Sequence, residues 1–256
     1  MNIKKIEEII QKELLFDPIK QPELRLNQYA EWKAACEALN LTYDYLPKPR
    51  IELYQHRTMF RFNTDTVLLA GFMRIHKHDT VLDIGTNNGV LVLAAAQYSD
   101  QKIIGVELQG EACLLAKKNI RLHKLEDQCS ILHQNIQDVD ITPVDVIISN
   151  PPYFPLSEQS IQTTPKQMAR HEITLNLKTL IDQINRLLKD GGHCYLVHRA
   201  DRLSEIIERF HAIHMEVKQV QPVYDEQKED ARCVLIEAVK QAKCGCRLLS
   251  PIIIKR

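Results

Sequence analysis

The sequence predicts an α/β protein: a mostly parallel seven-stranded sheet with helices on both faces and an antiparallel C-terminal hairpin. Three observations carry this. From Ile51 onward, short apolar runs alternate with helical stretches, the pattern of parallel strands joined through crossover helices. Met215–Val223 and Arg232–Lys240 have no helical stretch between them, so they are expected to pair directly as a hairpin. The first fifty residues follow a different grammar, helical spacing interrupted by prolines, and read as a small helical N-terminal extension. At 256 residues the chain accommodates one large domain and an appendage, divided as 1–50 and 51–256.

The elements follow in order. Ile3, Ile6, Ile10 and Leu14 suggest one amphipathic helix, and Tyr29, Trp32, Cys36 and Leu39 a second; Pro18 and Pro22 separate them and Pro47-Lys-Pro49 closes the segment. Phe60-Arg-Phe-Asn63-Thr-Asp65-Thr66 leads into an apolar helical run, with Thr64 or Asp65 as the expected cap. Thr80–Ile84 is the first strand, followed by a glycine-containing turn and a helix over Val90–Tyr98. Lys102–Glu107 is a strand, Gly110–His123 a helix, and Cys129–His133 and Val144–Ser149 are further strands. Leu175–Lys189 has strong helical periodicity and is expected to stop at Asp190-Gly-Gly192. His193–Arg199 is a strand, Arg202–His211 a helix, and the hairpin completes the sheet.

Composition narrows the class. Apolar residues at 45% and charged residues at 26% are those of an ordinary globular protein. No apolar stretch approaches the length of a membrane span, and the N-terminus alternates charge with Ile and Leu, unlike a signal peptide. Seven scattered cysteines read as reduced thiols, which points to the cytoplasm. Cys244 and Cys246 form a C-x-C pair with no matching Cys or His cluster nearby in sequence, so no metal is expected. Thirty-three basic residues balance thirty-three acidic ones, which argues against a surface coated for non-specific nucleic-acid binding but leaves room for a local basic patch. Arg57, Arg61, Lys166, Arg170, Arg199 and Arg202 are the candidates.

The first chemical motif is Asp83-Ile-Gly85-Thr-Asn87-Asn-Gly89, between a strand and a helix. Gly85 and Gly89 permit close backbone approach to a ligand. Glu107 ends the next strand, where a carboxylate can accept two hydrogen bonds from ribose hydroxyls. The G-x-G-x-x-G of dinucleotide-binding proteins is absent. An acid opening the turn would repel a pyrophosphate and suits a cationic or zwitterionic ligand. S-adenosyl-L-methionine carries a sulfonium, an ammonium and no phosphate, so electrostatics favour it over NAD.

The segment resembles the first motif of class I S-adenosylmethionine-dependent methyltransferases, written D-x-G-x-G-x-G, and the resemblance implies their Rossmann-like fold. Asn87 stands where the middle glycine is usual, and Asn is the non-glycine residue most tolerant of left-handed backbone angles. By the same resemblance, Asp138 would hydrogen-bond the adenine of the cofactor, and the segment around Asp65 would close over its methionine end.

The second motif is Asn150-Pro-Pro-Tyr153-Phe154, directly after an apolar strand. Two prolines stop the ladder and leave Asn150 on a stiff turn at the strand's carboxyl end, where open α/β sheets bind ligands. The Asn150 side-chain carbonyl and the Pro151 main-chain carbonyl could accept from an exocyclic amine, with Pro151 and Pro152 fixing the turn. Tyr153 or Phe154 offers a ring on which a planar group can stack. The tetrapeptide is similar to those of adenine-N6, guanine-N2 and glutamine-N5 methyltransferases. Ile51-Glu-Leu-Tyr-Gln55, FRFNTDTVLLAGF, NPPYF, Ala169-Arg-His-Glu172 and Leu249-Ser-Pro-Ile-Ile-Ile254 together resemble the bacterial tRNA1(Val) adenine-N6-methyltransferase family over residues 51–256. Residues 1–50 do not match that family's pattern. The resemblance implies a tRNA substrate, with Arg170 and His171 as candidates for holding phosphate or the target base. A glutamine methyltransferase of release factors, a guanine-N2 rRNA methyltransferase and a non-catalytic RNA-binding module are the competing readings.

Overall fold

The computed structural model describes residues 34, 36–58, 61–151 and 176–255. Strands β1 (Leu41–Pro47) and β2 (Arg50–His56) form an antiparallel ribbon. Helix α1 (Thr64–Phe72) leads into β3 (Val81–Ile84), α2 (Val90–Ala95), β4 (Ile103–Glu107), α3 (Gly110–Leu122), β5 (Cys129–His133) and β6 (Val144–Ser149). Then come α4 (Leu177–Leu187), β7 (Leu188–Arg199), α5 (Leu203–Ala212), β8 (Met215–Asp225) and β9 (Cys233–Lys240), with β10 (Arg247–Leu248) and β11 (Ile252–Ile254) in the tail.

The main sheet runs β10-β8-β9-β7-β6-β3-β4-β5, and β11 also pairs with β8. Strands β7, β6, β3, β4 and β5 are mutually parallel, while β9 lies antiparallel between β7 and β8. The seven expected strands are all present, and the two short tail strands extend the edge at β8.

Both faces of the sheet are covered, and its central strands β3 and β6 are mostly apolar. The residues of β6 divide between two cores: Val146 and Ile148 pack with Leu69, Val92 and Ala116 on one side, and Ile147 with Leu180, Ile184 and Phe210 on the other, where Val144 also lies, beyond a register irregularity between Val144 and Val146. Helices α1, α2 and α3 thus cover one face and α4 and α5 the other. Chain order reverses at β3, flanked by β4 on one side and β6 on the other. The crevice beyond the carboxyl ends of these strands is where such sheets bind ligands.

Three expectations need correction. Residues 41–47, assigned to the helical extension, are a strand; the proposed 50/51 boundary falls at the start of β2, inside the ribbon. Leu41-Thr-Tyr-Asp-Tyr-Leu46 alternates in β fashion, and the prolines at 47 and 49 flank its turn rather than end a helix. Residues 36–38 are helical, with Cys36 and Leu39 buried against Tyr54 and Leu115, but the other residues used to infer the extension lie outside the described ones. Next, α1 begins at an Asn63 cap, not at Thr64 or Asp65. Finally, α4 ends at Leu187 and Leu188 already pairs with Val144 of β6. Gly191, at φ +78°, and Gly192, whose added Cβ would sit 2.9 Å from the Asp145 carbonyl, make a bulge within β7 rather than a helix stop.

Asn119 of α3 fastens the ribbon to the sheet domain. Its Oδ1 accepts from the Tyr54 N–H at 2.8 Å, and its Nδ2 donates to the carbonyls of Tyr54 and Asn88 at 2.9 and 2.8 Å, all buried. Asn119→Ala should lower the unfolding free energy by about 1–3 kcal/mol, the cost of leaving buried backbone groups unpaired. Urea denaturation measures this; an unchanged midpoint would show that the ribbon is held by its apolar contacts alone.

Candidate active site

The site is built where β3, β4 and β6 end. Gly85 and Thr86 both donate their N–H groups to the Val106 carbonyl, which turns the chain away from β3. Gly85, Asn87 and Gly89 all have left-handed backbones, at φ +75°, +51° and +81°. The asparagine that replaces a glycine therefore adopts the conformation expected of it. Gly89 begins α2, and a Cβ there would lie 3.2 Å from that of Ala116, so this glycine also allows α2 and α3 to pack closely.

The two acids of the turn have different surroundings. Glu107 accepts from the Asn87 N–H through Oε2 and from the Gln109 N–H through Oε1, both at 2.9 Å. Burial raises its pKa, and these donors oppose the shift. Asp83 is 1% exposed, and neither of its carboxylate oxygens has a hydrogen-bond partner in the structure. Burial pushes its pKa up to about 7, opposed by the nearby Thr86 hydroxyl, which lies outside good hydrogen-bond geometry, and aided by the charge of Glu107.

Asn150 follows β6. Ser149 pairs with Ile84 across the sheet and donates its hydroxyl to the Ile84 carbonyl at 2.9 Å, which places Asn150 beside the start of the glycine turn. The Asn150 Nδ2 donates to Thr66 Oγ1 at 2.8 Å. Thr66 belongs to the α1 cap: Asn63 Oδ1 accepts from the Thr66 N–H at 3.1 Å, and Thr66 Oγ1 accepts from the Asn63 N–H at 3.4 Å. Neither residue of this reciprocal cap was singled out from sequence. The signal was the N-x-x-T spacing ahead of an apolar run, a variant of the capping box.

The remaining candidates divide. Asp65, 3% exposed, accepts from Arg232 at 2.8 Å, so an ion pair with the loop before β9 engages the carboxylate expected near the cofactor. Asp138 is exposed at the end of a 3-10 turn over Ile136–Asp138. Pro151 is buried; Pro152, Tyr153, Phe154, Arg170, His171 and Lys166 lie outside the described residues. Of the expected basic patch, Arg61 pairs with Asp44, Arg199 with Asp201 and Arg202 with Glu205, so each is neutralised locally. The fold does give Cys244 the neighbours it lacks in sequence. Glu216 Oε1 lies 2.7 Å from His211 Nδ1 and 3.7 Å from Cys244 Sγ, at the edge of the sheet opposite the cleft. A cavity of about 530 Å³ beside α1, lined by Val67, Phe72, Tyr195 and Glu237, includes none of the candidate residues.

The residues at the cleft fit the cofactor inferred from sequence. A buried, partnerless carboxylate at Asp83 is costly unless a donor or a cation reaches it. Each Glu107 oxygen already takes one backbone hydrogen and retains a further lone pair for a hydroxyl. Nothing lies within 4 Å of a Cβ built at Gly85, which leaves space over the turn.

The family model described as a methyltransferase domain matches residues 75–243, about two thirds of the chain, so the chain belongs to that family. A tRNA1(Val) (adenine(37)-N6)-methyltransferase of Aeromonas salmonicida is 35% identical over 153 residues, 59% of this chain and 64% of that protein. The match therefore spans just under two thirds of that relative's length. One from Shewanella baltica is 31% identical over 180 residues, 67% of this chain and 75% of that one. The chain belongs to this family of methyltransferases, the one its motifs resemble. Among solved structures, Trm5 of Methanocaldococcus jannaschii, crystallised with adenosine, has the same fold: TM-score 0.61 at 20% identity, covering 80% of this chain and 56% of that one.

Two outcomes follow from the turn. Folded Asp83 keeps its proton to about pH 7, whereas an ordinary carboxyl releases it near 3.8, so between these limits the folded state binds more protons. The stability Asp83 contributes is full below about pH 4 and is lost as pH rises to 7. Asp83→Asn should flatten that decline in the ligand-free protein, as read from thermal midpoints across pH 4–8; a parallel decline would mean that the carboxyl is solvated. At Asn87, Gly should be tolerated and Val should disrupt the turn, because a β-branched side chain resists positive φ. Equal thermal midpoints for the two variants would contradict the left-handed assignment.

Proposed function

We propose that this protein transfers a methyl group from S-adenosyl-L-methionine to the exocyclic N6 amine of an adenine in RNA, in a tRNA anticodon loop, with tRNA1(Val) as the substrate its relatives' names suggest. The observation that carries the reading is the placement of Asn150-Pro151 one residue beyond the Ile84–Ser149 pair, beside a glycine turn with two buried acids.

Asp83 would hold the cofactor's ammonium, Glu107 its ribose hydroxyls and Asp138 its adenine, with the backbone of Gly85–Gly89 lying against it and Asp65 nearby. The cofactor supplies an electrophilic methyl on a sulfonium. The chain's own residues prepare the acceptor. The lone pair of an adenine amine is delocalised into the ring and makes a poor nucleophile. Asn150 Oδ1 and the Pro151 carbonyl accept its two hydrogens and hold the nitrogen nearer tetrahedral, so the lone pair faces the methyl carbon. With the methyl donor bound, the amine held by Asn150 and Pro151 would accept the methyl group and afterwards lose one proton to water. No strong base is required; orientation does most of the catalysis. Tyr153, with Phe154 beside it, replaces a neighbouring base as the stacking surface for an adenine turned out of its stack. Arg170 and His171 would contact phosphate or help hold the target base, and the residues ahead of β1 serve substrate docking or stability rather than chemistry, since every motif begins at or after Ile51.

An anticodon-loop adenine is unstacked at little cost, whereas a base in duplex DNA demands more. Labelled cofactor presented with total tRNA, ribosomal RNA, DNA and release factor should therefore yield N6-methyladenosine in tRNA. Asn150→Ala should abolish transfer with cofactor affinity intact, and Glu107→Ala should weaken cofactor binding by about 1–3 kcal/mol, the cost of unpaired ribose hydroxyls. Mass spectrometry showing N2-methylguanosine or methylglutamine instead would overturn the substrate assignment.

A further inference from the structure

We propose that His211, Glu216 and Cys244 form a binding site for a divalent transition metal of the zinc type, separate from the methyl-transfer cleft. Among the described residues they are the one cluster of three metal-ligating side chains. His211 lies in the last turn of α5, Glu216 near the start of β8, and Cys244 in the loop between β9 and β10. Three segments thus meet at the amino-terminal end of β8, whereas the cleft lies beyond the carboxyl ends of the parallel strands.

The donor set is specific. It brings one imidazole nitrogen, one carboxylate oxygen and one sulfur, a mixture that suits zinc and not calcium or magnesium, which take oxygen ligands. Its spacing also fits. Glu216 Oε1 lies 2.7 Å from His211 Nδ1 and 3.7 Å from Cys244 Sγ, and all three atoms lie within 4.8 Å of one another. Ligand atoms about 2.0–2.3 Å from a tetrahedral metal stand roughly 3.3–3.8 Å apart. The oxygen–sulfur distance already matches, and the nitrogen–oxygen pair has to open by only about 0.6 Å. The His211 side chain is 66% exposed and has room for that shift. A simple His–Glu ion pair needs no thiol; the sulfur on the same carboxylate oxygen is what sets this cluster apart.

The backbone brings the three segments together without a metal. His214, at φ +60°, turns the chain from α5 into β8. The Gln241 N–H donates to the His214 carbonyl at 2.8 Å where β9 ends. Lys218 Nζ donates to the Lys243 carbonyl at 2.8 Å, which holds the loop against β8 one residue before Cys244. Gly245, at φ +129°, supplies the backbone conformation that leads from Cys244 to β10. On metal binding the Cys244 S–H bond breaks and its proton goes to water. His211 serves as the neutral ring with its hydrogen on Nε2, and no electron is transferred.

The full-length protein, reduced and stripped with a chelator, should take up one Zn2+ per chain in calorimetric titration, with Kd below about 1 µM. Co2+ in its place should give the visible bands of tetrahedral coordination and a thiolate-to-cobalt absorption in the near ultraviolet. His211→Ala, Glu216→Gln and Cys244→Ser should each weaken zinc binding more than about 100-fold, beyond the cost of losing a residue that merely supports a ligand. Cys246 Sγ faces the Arg247 carbonyl at 3.9 Å and is not in the cluster, so Cys246→Ser should leave affinity nearly unchanged. None of these four side chains belongs to the apolar cores, so the variants should fold. Zinc at about 100 times Kd should raise the thermal midpoint of the wild type by about 5–10 °C and leave that of Cys244→Ser unmoved. No zinc uptake, an unmoved midpoint in the wild type, or affinity retained in His211→Ala and Glu216→Gln would each overturn the site. The last of these, with affinity lost in Cys246→Ser, would mark chelation by the C-x-C pair alone.

Discussion

Ser149 donates its hydroxyl to the carbonyl of Ile84 at 2.9 Å, and that buried bond clamps the last rungs of β3 and β6 in parallel register. The chemistry depends on this register. Side chains alternate across a strand, so a slip of one residue would turn Asp83 and Ser149 to the opposite faces and carry Asn150 out of line with the glycine turn. Both faces of β6 are buried, with Val146 and Ile148 packed in one core and Ile147 in the other, so packing on either side holds the strand in place. The apolar pattern of β6 thus positions a polar residue that takes no part in the apolar packing.

The cleft also shows an uneven electrostatic design. Glu107 has backbone donors on both oxygens and is already oriented without a ligand. Asp83, equally buried, has none and is pushed toward its neutral form. The first is pre-organised, and the second is destabilised until something cationic arrives. Two adjacent buried carboxylates both fully ionised would repel each other, so a proton on Asp83 relieves that repulsion. A ligand bearing an ammonium reverses that balance, so part of its binding energy goes into ionising Asp83. Such local cost at a site is the ordinary trade between stability and function.

The sheet was legible from sequence because its strands are buried on both faces and separated by helices, and the resulting β-α alternation fits almost no architecture except a parallel sheet between helical layers. Asn87 was legible for a local reason: among non-glycine residues, asparagine most readily accepts the positive φ that the turn requires. The N-terminal ribbon was not, because Tyr29, Trp32, Cys36 and Leu39 fall at helical spacing and Pro47 and Pro49 read as its end. The β alternation of Leu41–Leu46 was equally present but was outweighed by that pattern. Gly191 and Gly192 misled in the same way, since a glycine pair after a helix signals a stop and only the partner strand reveals a bulge. The site's supports were hidden for a different reason. Asp65 meets Arg232, Thr66 meets Asn150 and Gln55 meets Asn88 across long stretches of chain, and no local pattern encodes such pairs.

Gln55 shows how these distant contacts combine. It is 2% exposed, and its Oε1 accepts from the Phe62 N–H at 2.8 Å and from Asn88 Nδ2 at 3.1 Å, while its Nε2 donates to Asp44 at 2.8 Å. One carboxamide therefore ties together the ribbon, the segment leading into α1 and the glycine turn. The same segment carries Asn63 and Thr66, and through them Asn150. The turn that would receive the cofactor and the amide that would receive the substrate thus share one support. Residues connected in a single hydrogen-bond network do not contribute independently. The ribbon, which contains none of the sequence motifs of the turn or the amide, accordingly belongs to the machinery of the site and is no mere appendage to it.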